Sequence, residues 1–298
     1  MQNDIEKRKG EMFVVAGSLL WAAFPVVVVM SYAKISGLVS LAWSTVFAAV
    51  FLVGVILWRG SWQDMKSRLF WQYTAAVAFF NGVLFYSLFY IGLEHTTPGN
   101  ASLIALIEIL TSFIFFNLFK KEHISREHKV GSVLMFLGAL IVLSNNFSHF
   151  NIGDLLIFVA MFCGPIGNHF QQKVRRISAT ENLLLGRYLI TIPVVFLMAS
   201  ILHPGISLGF SRSSFWLLAF NGLLIFGLSK IFWVEGIHRI PVTKAISLSS
   251  ASPIITMFLA WVLLKQSPTM WQLTAFIPLF LGIILLTDNY KFKDFPVN

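Results

Sequence analysis

Ten long apolar runs, separated by short polar breaks, constrain this chain more than any single motif. They lie at 12–32, 39–57, 71–93, 99–118, 130–147, 153–170, 183–202, 214–235, 242–264 and 270–288. A helix needs about 20 mostly apolar residues to cross a hydrocarbon core about 30 Å thick, and each run is close to that length. Every backbone N–H and C=O in lipid must find an internal partner, which restricts a spanning chain to helices or a closed barrel. Barrel strands run about 10 residues with strict alternation. These runs are longer and apolar on nearly every face, so the expectation is an all-α polytopic membrane protein with ten transmembrane helices. The short breaks leave no room for an inserted soluble domain. Composition agrees: the chain is 57% hydrophobic and 12% charged with a mean hydropathy of +0.77, against about 45–50% and about 25% in soluble domains. A soluble enzyme, a nucleic-acid binder and a disordered chain are all poor readings of such a sequence.

The basic residues set the orientation. With the N-terminus in the cytoplasm, sixteen of the 22 Lys and Arg fall in cytoplasmic segments, including Lys7, Arg8, Lys9, Lys120, Lys121, Arg126, Lys129, Lys291 and Lys293. Three (Lys34, Arg212, Lys265) fall outside, and three (Arg187, Lys230, Lys244) lie within runs. This positive-inside asymmetry predicts a multi-pass protein of the cytoplasmic (inner) membrane with both termini cytoplasmic. It also accounts for the net charge of +9 without a nucleic-acid partner. The leader before the first run resembles a signal peptide, but Ser31-Tyr32-Ala33 is a poor cleavage site and the run exceeds a signal h-region, so an uncleaved first helix is expected. A single cysteine, Cys163, excludes a disulfide framework and a cysteine-based zinc site.

The two halves match. Phe80-Asn81-Gly82-Val83-Leu84 corresponds to Phe220-Asn221-Gly222-Leu223-Leu224, His95-Thr96-Thr97-Pro98 to His238-Arg239-Ile240-Pro241, and Phe136-Leu137-Gly138 to Phe280-Leu281-Gly282, at offsets of 140, 143 and 144. An ordered, slowly drifting series indicates duplication, here of 1–147 and 148–298. Five helices per half is an odd number, so equivalent helices run in opposite directions. Inverted repeats of this kind recur in secondary transporters, with the substrate site near the midplane between the halves.

These features resemble the EamA-type branch of the drug/metabolite transporter superfamily, over the whole chain. The resemblance is carried by Leu20-Trp21-Ala22 and by the proline and small residues opening spans 4 and 9 (Pro98-Gly99-Asn100-Ala101-Ser102; Pro241-Val242-Thr243-Lys244-Ala245). Lys121-Glu122-His123-Ile124-Ser125 with Gly131 and Gly138 also fits, as do Asp154-Leu155-Leu156, Lys173 and Leu185-Gly186-Arg187. It implies ten helices as two inverted five-helix repeats, alternating access, spans 5 and 10 as peripheral supports, and a cavity faced by spans 1 and 3. On that implied arrangement Trp21, Tyr86 and Tyr90 become pocket candidates. The chain departs from the family at Ser44, where many members carry arginine, and at Gln266 and Ala275. Glu108 stands roughly where Pro253 has its counterpart. These departures bear on the substrate rather than the fold.

An ionisable group at bilayer depth costs roughly 2.5–3.5 kcal/mol on insertion scales and needs a reason to be there. Glu108, near the centre of span 4, is a candidate ligand for a substrate amine or the site of a coupling proton; its structural alternative is a partner for Arg187, Lys230 or Lys244. Arg187 and Lys230 are candidate substrate contacts, although both lie close enough to the cytoplasmic ends of their spans to snorkel to headgroups. Asn81 and Asn221, of the repeated Phe-Asn-Gly, and Asn168 are buried amides that need partners across helices or on a substrate. Gly164-Pro165 in span 6 and Pro253 in span 9 weaken their helices, which suits gating bends. Ser249 and Ser252, with Thr256, form one polar face of span 9, either lining a path or joining helices. Trp58, Trp62, Trp71 and Trp271 suit interfacial belts.

No phosphate-binding loop is present, the seven histidines show no metal-ligand spacing, and no Gly-x-Ser-x-Gly elbow occurs, so neither cofactor nor metal is expected. The leading reading is a secondary carrier exporting a small polar metabolite, with amino acids or their derivatives as the class the resemblance implies. A carrier for a larger nucleotide-like or cofactor metabolite, or drug efflux, is the alternative. An intramembrane enzyme acting on lipid is the reading of another class. The expected partners are a small-molecule substrate, membrane lipid and a coupling proton, with the chain as a monomer or homodimer.

Overall fold

The computed structural model describes residues 2–32, 35–61, 65–120, 126–143, 151–205 and 207–288. Lys34, Trp62, the Lys121–Ser125 motif, Lys291, Lys293 and the boundary expected near residue 148 lie outside the described residues.

Ten helical segments follow one another, and no strand occurs among the described residues. They are α1 (Gln2–Ala22 continued by Phe24–Ser31), α2 (Gly37–Arg59), α3 (Arg68–Leu93), α4 (Pro98–Ala105 continued by Ile107–Lys120) and α5 (Arg126–Leu143). The second half holds α6 (Ile152–Arg175), α7 (Thr180–Leu202), α8 (Arg212–Arg239), α9 (Val242–Leu248, the 3₁₀ turn Ser249–Ala251 and Ser252–Leu264) and α10 (Met270–Asp288). Eight of these are long and apolar enough to cross a membrane. The other two, α5 and α10, pack on each other.

Local chemistry sets the boundaries. Side chains of Ser36, Thr97, Asn151 and Ser211 accept from backbone N–H groups of the first turns of α2, α4, α6 and α8, satisfying donors that a helix start leaves orphaned. Gly60 ends α2 in the left-handed region at φ 69°, a conformation glycine adopts without a Cβ penalty.

The packing repeats between the halves. α1 lies along α8, and in the corresponding way α6 lies along α3. Gly10 of α1 approaches Gly236 of α8, and Gly153 of α6 approaches Gly92 of α3, so closely that a Cβ at any of these positions would press on the facing helix. α2 packs on α7 across the centre. Between α5 and α10, Gly131 and Gly282 bring the backbones together: a Cβ on Gly282 would lie 2.7 Å from the Gly131 carbonyl oxygen. Lipid tails are as apolar as leucine, so helices associate in a membrane through such close contacts rather than through hydrophobic burial. The fold is two inverted five-helix repeats. Apolar side chains also point outward, Leu57, Leu197, Ile201 and Ile277 among them. Trp58, Trp71 and Trp271 are exposed as well.

Five interruptions break the helices. α1 turns at Ala23, before Pro25, and α4 turns at Leu106. α9 carries its 3₁₀ turn just before Pro253. α3 is π-helical over Ala78–Leu84 and α8 over Asn221–Ser229, so the repeated Asn-Gly falls in the same irregular geometry in both halves. Such π segments concentrate at functional sites. The segment at Gly164 and Pro165 is not among these interruptions. α6 runs as one helix through Gly164 and Pro165, because a neighbour repairs what proline removes. Pro165 has no N–H for the Met161 carbonyl four residues earlier, and that carbonyl accepts instead from Thr111 Oγ1 of α4 at 2.8 Å.

Candidate functional site

The interrupted stretches surround a cavity of about 1000 Å³, counting its open mouth, bounded by α1, α3, α4, α6, α7, α8 and α9. No described residue of α2, α5 or α10 lines it. The lining includes Trp21, Asn81, Tyr86, Glu108, Gly164, Asn168, Arg187, Lys230, Ser249, Ser252 and Pro253, which are most of the positions singled out in the sequence.

One wall is a hydrogen-bonded carboxylate. The turn at Leu106 starts a new helical segment that carries Glu108, and Gly164 makes room for it: a Cβ there would meet Glu108 Cδ at 2.8 Å. Asn168 Nδ2 donates to Glu108 Oε1 at 3.0 Å. The other end of the same amide, Asn168 Oδ1, accepts from Gln171 Nε2 at 2.7 Å, Asn81 Nδ2 at 3.2 Å and Trp233 Nε1 at 3.2 Å. Asn168 therefore ties α3, α4 and α8 to α6, and its orientation is fixed by three donors. Glu108 forms no ion pair among the described residues. Lys244, one of its possible structural partners, pairs with Glu11 of α1.

Two cations share the same lining. Arg187 of α7 is 1% exposed, and its Nη2 donates to Tyr188 Oη at 2.6 Å. The guanidinium carbon lies 4.5 Å from the Tyr188 ring centroid and 5.9 Å from that of Tyr86. Lys230 Nζ sits 3.4 Å from the Trp21 ring centroid and 5.7 Å from that of Tyr86, positions where the ring quadrupole attracts a cation. The snorkelling alternative is corrected for both residues. Each turns its charge inward onto aromatic faces, because the π-helical stretch of α8 immediately before Lys230 and the burial of α7 beside α3 direct them there.

The polar face of α9 serves both roles considered for it. Ser249 Oγ shares a 2.6 Å hydrogen bond with Ser18 Oγ of α1, Ser252 Oγ donates to the Ser18 carbonyl at 3.4 Å, and Thr256 Oγ1 donates to the Ala22 carbonyl at 2.7 Å. All three residues also line the cavity.

Three candidates stand elsewhere. Asn221 and Tyr90 are buried outside the lining. Asn221 Nδ2 donates to Ser44 Oγ at 2.9 Å and to Tyr90 Oη at 2.7 Å, so the second-half asparagine closes on its own helix neighbours. Pro165 is likewise buried away from the cavity. Sequence reasoning missed Gln171 and Trp233. Each lies one turn after a residue already singled out, Asn168 and Lys230, and i, i+3 spacing was the available signal. Glu235 of α8 binds Arg175 at 3.0 Å and also Thr180 and Arg239, while Arg239 reaches Glu6 of α1 at 3.0 Å. This network ties α1, α6, α7 and α8 together at the end of the bundle where the chain begins.

The arrangement gathers groups able to hold a polar molecule. It offers a carboxylate, two cations, amides and aromatic faces around one space, and no cluster of metal-ligating side chains occurs among the described residues. The model of the EamA-like transporter family matches residues 8–144 and again 151–288. The uncharacterized transporter YyaM of Bacillus subtilis (strain 168) is 23% identical over 227 residues, covering 72% of each chain. The uncharacterized transporter sll1164 of Synechocystis sp. (strain ATCC 27184 / PCC 6803 / Kazusa) is 24% identical over 259 residues, covering 80% of this chain and 72% of that one. A solved crystal structure superposes with a TM-score of 0.72 at 16% identity, covering 94% of this chain and 98% of the other, which is a likeness of fold.

Proposed function

Because the chain belongs to the EamA-like transporter family, we propose that this membrane transporter is a secondary carrier. In this reading it exports a small polar metabolite, with amino acids and their derivatives as the leading class, by alternating access of its two inverted repeats. The observation that carries the reading is a cavity lined by helices of both repeats that holds Glu108, at mid-helix, together with Arg187 and Lys230. Charged groups at bilayer depth are costly and mark substrate or ion pathways. Glu108 is the ligand of a substrate amine or of a coupling proton. Asn81, Asn168, Trp21, Tyr86, Ser249 and Ser252 complete the contact surface, while Asn221 and Tyr90 support it from behind. The helix breaks before Pro253 and beside Glu108 give the walls places to move. The positive-inside asymmetry supports cytoplasmic termini, which puts the Glu235–Arg239–Glu6 network on the cytoplasmic side as a closing contact.

The test is flux in sealed proteoliposomes preloaded with an amino-acid mixture. A carrier shows saturable uptake that is stimulated by internal substrate and vanishes when the vesicles are made leaky. Turnover of a lipid substrate in detergent micelles, with no sealed compartment, would instead identify an enzyme.

A further inference from the structure

Inverted repeats allow each position to be compared with its counterpart in the other half, and one pair of sites differs in a way that identifies part of the ligand. A step of 140 residues carries Asn81 to Asn221 and Tyr90 to Lys230, and a step of 143, the spacing between both ends of α2 and both ends of α7, carries Ser44 to Arg187. The first of the two sites is the neutral cluster of Ser44, Tyr90 and Asn221. All three side chains are fully buried, and the Asn221 amide donates to both hydroxyls. That cluster carries no charge and stands outside the cavity, with Asn221 Oδ1 its one buried atom lacking a partner among the described residues.

Its counterpart, built from Asn81, Arg187 and Lys230, has the hydroxyls replaced by two cations and opens into the cavity. Neither Arg187 nor Lys230 forms an ion pair among the described residues. Arg187 carries five N–H donors and stays charged under any physiological condition, yet its one hydrogen bond to a described residue is to Tyr188, and its buried Nε has no partner. Of the charged residues that line the cavity, only Glu108 is acidic, and it is held by Asn168. With all three ionised the cavity carries one excess positive charge. Breaking or omitting the partner of a buried charge is strongly unfavourable, and the aromatic faces of Trp21, Tyr86 and Tyr188 offset only part of this. Gly82 lets α3 approach α7 beside Arg187: a Cβ there would crowd the Thr191 hydroxyl.

We propose that Arg187 and Lys230 form an anion subsite that receives the carboxylate of the transported molecule. The substrate is a carboxylate-bearing metabolite oriented with its acid group toward α7 and α8 and the remainder toward Glu108. This inference rests on the carrier reading of the same cavity and assigns the polarity of the substrate within it. Arg187 supplies the planar, charge-assisted donors suited to a carboxylate, and Lys230 supplies a point charge.

The experiment uses the full chain purified in detergent, and reads the shift in unfolding temperature against a panel of L-α-amino acids and short monocarboxylates, each paired with its carboxamide. At least one acid is expected to stabilise the protein with an apparent affinity about tenfold to a hundredfold above that of its amide, the range for a hydrogen bond to a charged group. Arg187→Gln is expected to erase that preference, and Lys230→Gln, whose residue is half-buried, to reduce it. The second variant carries the test if Arg187→Gln fails to fold. A panel in which no acid is preferred over its amide overturns the subsite, as does a folded Lys230→Gln and Arg187→Gln pair that bind the preferred acid as the wild type does. Counterflow separates this from the carrier reading. Acid-selective binding without counterflow leaves the subsite and removes the carrier; counterflow with equal acceptance of acid and amide leaves the carrier and removes the subsite.

Discussion

Thr111 Oγ1 of α4 donates to the Met161 carbonyl of α6 across 2.8 Å, supplying the hydrogen bond that Pro165 withholds from its own helix. Thr111→Val is expected to leave that carbonyl bare and to destabilise the protein by about 1–3 kcal/mol, the penalty for an unsatisfied buried polar group. In a Pro165→Ala background the helix can supply its own donor, so the same substitution should cost less. A double-mutant cycle by SDS titration in mixed micelles measures the difference; equal losses in both backgrounds would refute the repair.

Asn168 is a hub whose two ends do different work. Asn168→Leu removes the acceptor for Gln171, Asn81 and Trp233 and should destabilise the protein by about 1–3 kcal/mol for each donor left dry. Asn168→Asp keeps an acceptor but replaces the Glu108 donor with a carboxylate facing a carboxylate. Its transport should fall further than its stability. Thermal unfolding and proteoliposome uptake measured on both variants check this ordering, and an aspartate variant with normal uptake would contradict it.

The neutral cluster behind the cavity should behave as structure. Tyr90→Phe takes one acceptor from Asn221 and is expected to cost about 0.5–1.5 kcal/mol, with substrate KM unchanged because Tyr90 lies outside the lining. A several-fold rise in KM with intact stability would return Tyr90 to the binding surface.

The α5–α10 pair lies away from the cavity. Gly282→Val places atoms against Met135 and the Gly131 carbonyl, and overpacking of this kind costs about 1–3 kcal/mol. The unfolding temperature should drop while uptake per folded molecule stays at the wild-type level. Reduced uptake at full stability would show that the pair takes part in transport.

How much of this was legible in the sequence follows from the physics at each position. The ten spans were readable because lipid demands long apolar helices, and the inversion followed from an odd number of spans per duplicated half. Glu108 was conspicuous because a carboxyl at mid-span needs a reason. The fates of Asn81 and Asn221 were not readable from their identical Phe-Asn-Gly setting, because they depend on what faces them: Asn168 in one half, Ser44 and Tyr90 in the other. Continuity through Pro165 was hidden for the same reason, since the repairing donor sits on another helix. The inward turn of Arg187 and Lys230 was equally hidden, since snorkelling or burial depends on which aromatic rings lie within reach.

The central claim is that Glu108 stands at the centre of a carrier's binding site, and counterflow of wild type against Glu108→Gln at two pH values tests it most directly. The neutral isostere keeps an acceptor for Asn168 and removes the charge. Saturable exchange that the substitution abolishes, or strips of its pH dependence, is the predicted result. Exchange with the same rate and the same pH dependence in both proteins would contradict it and return Glu108 to a structural role.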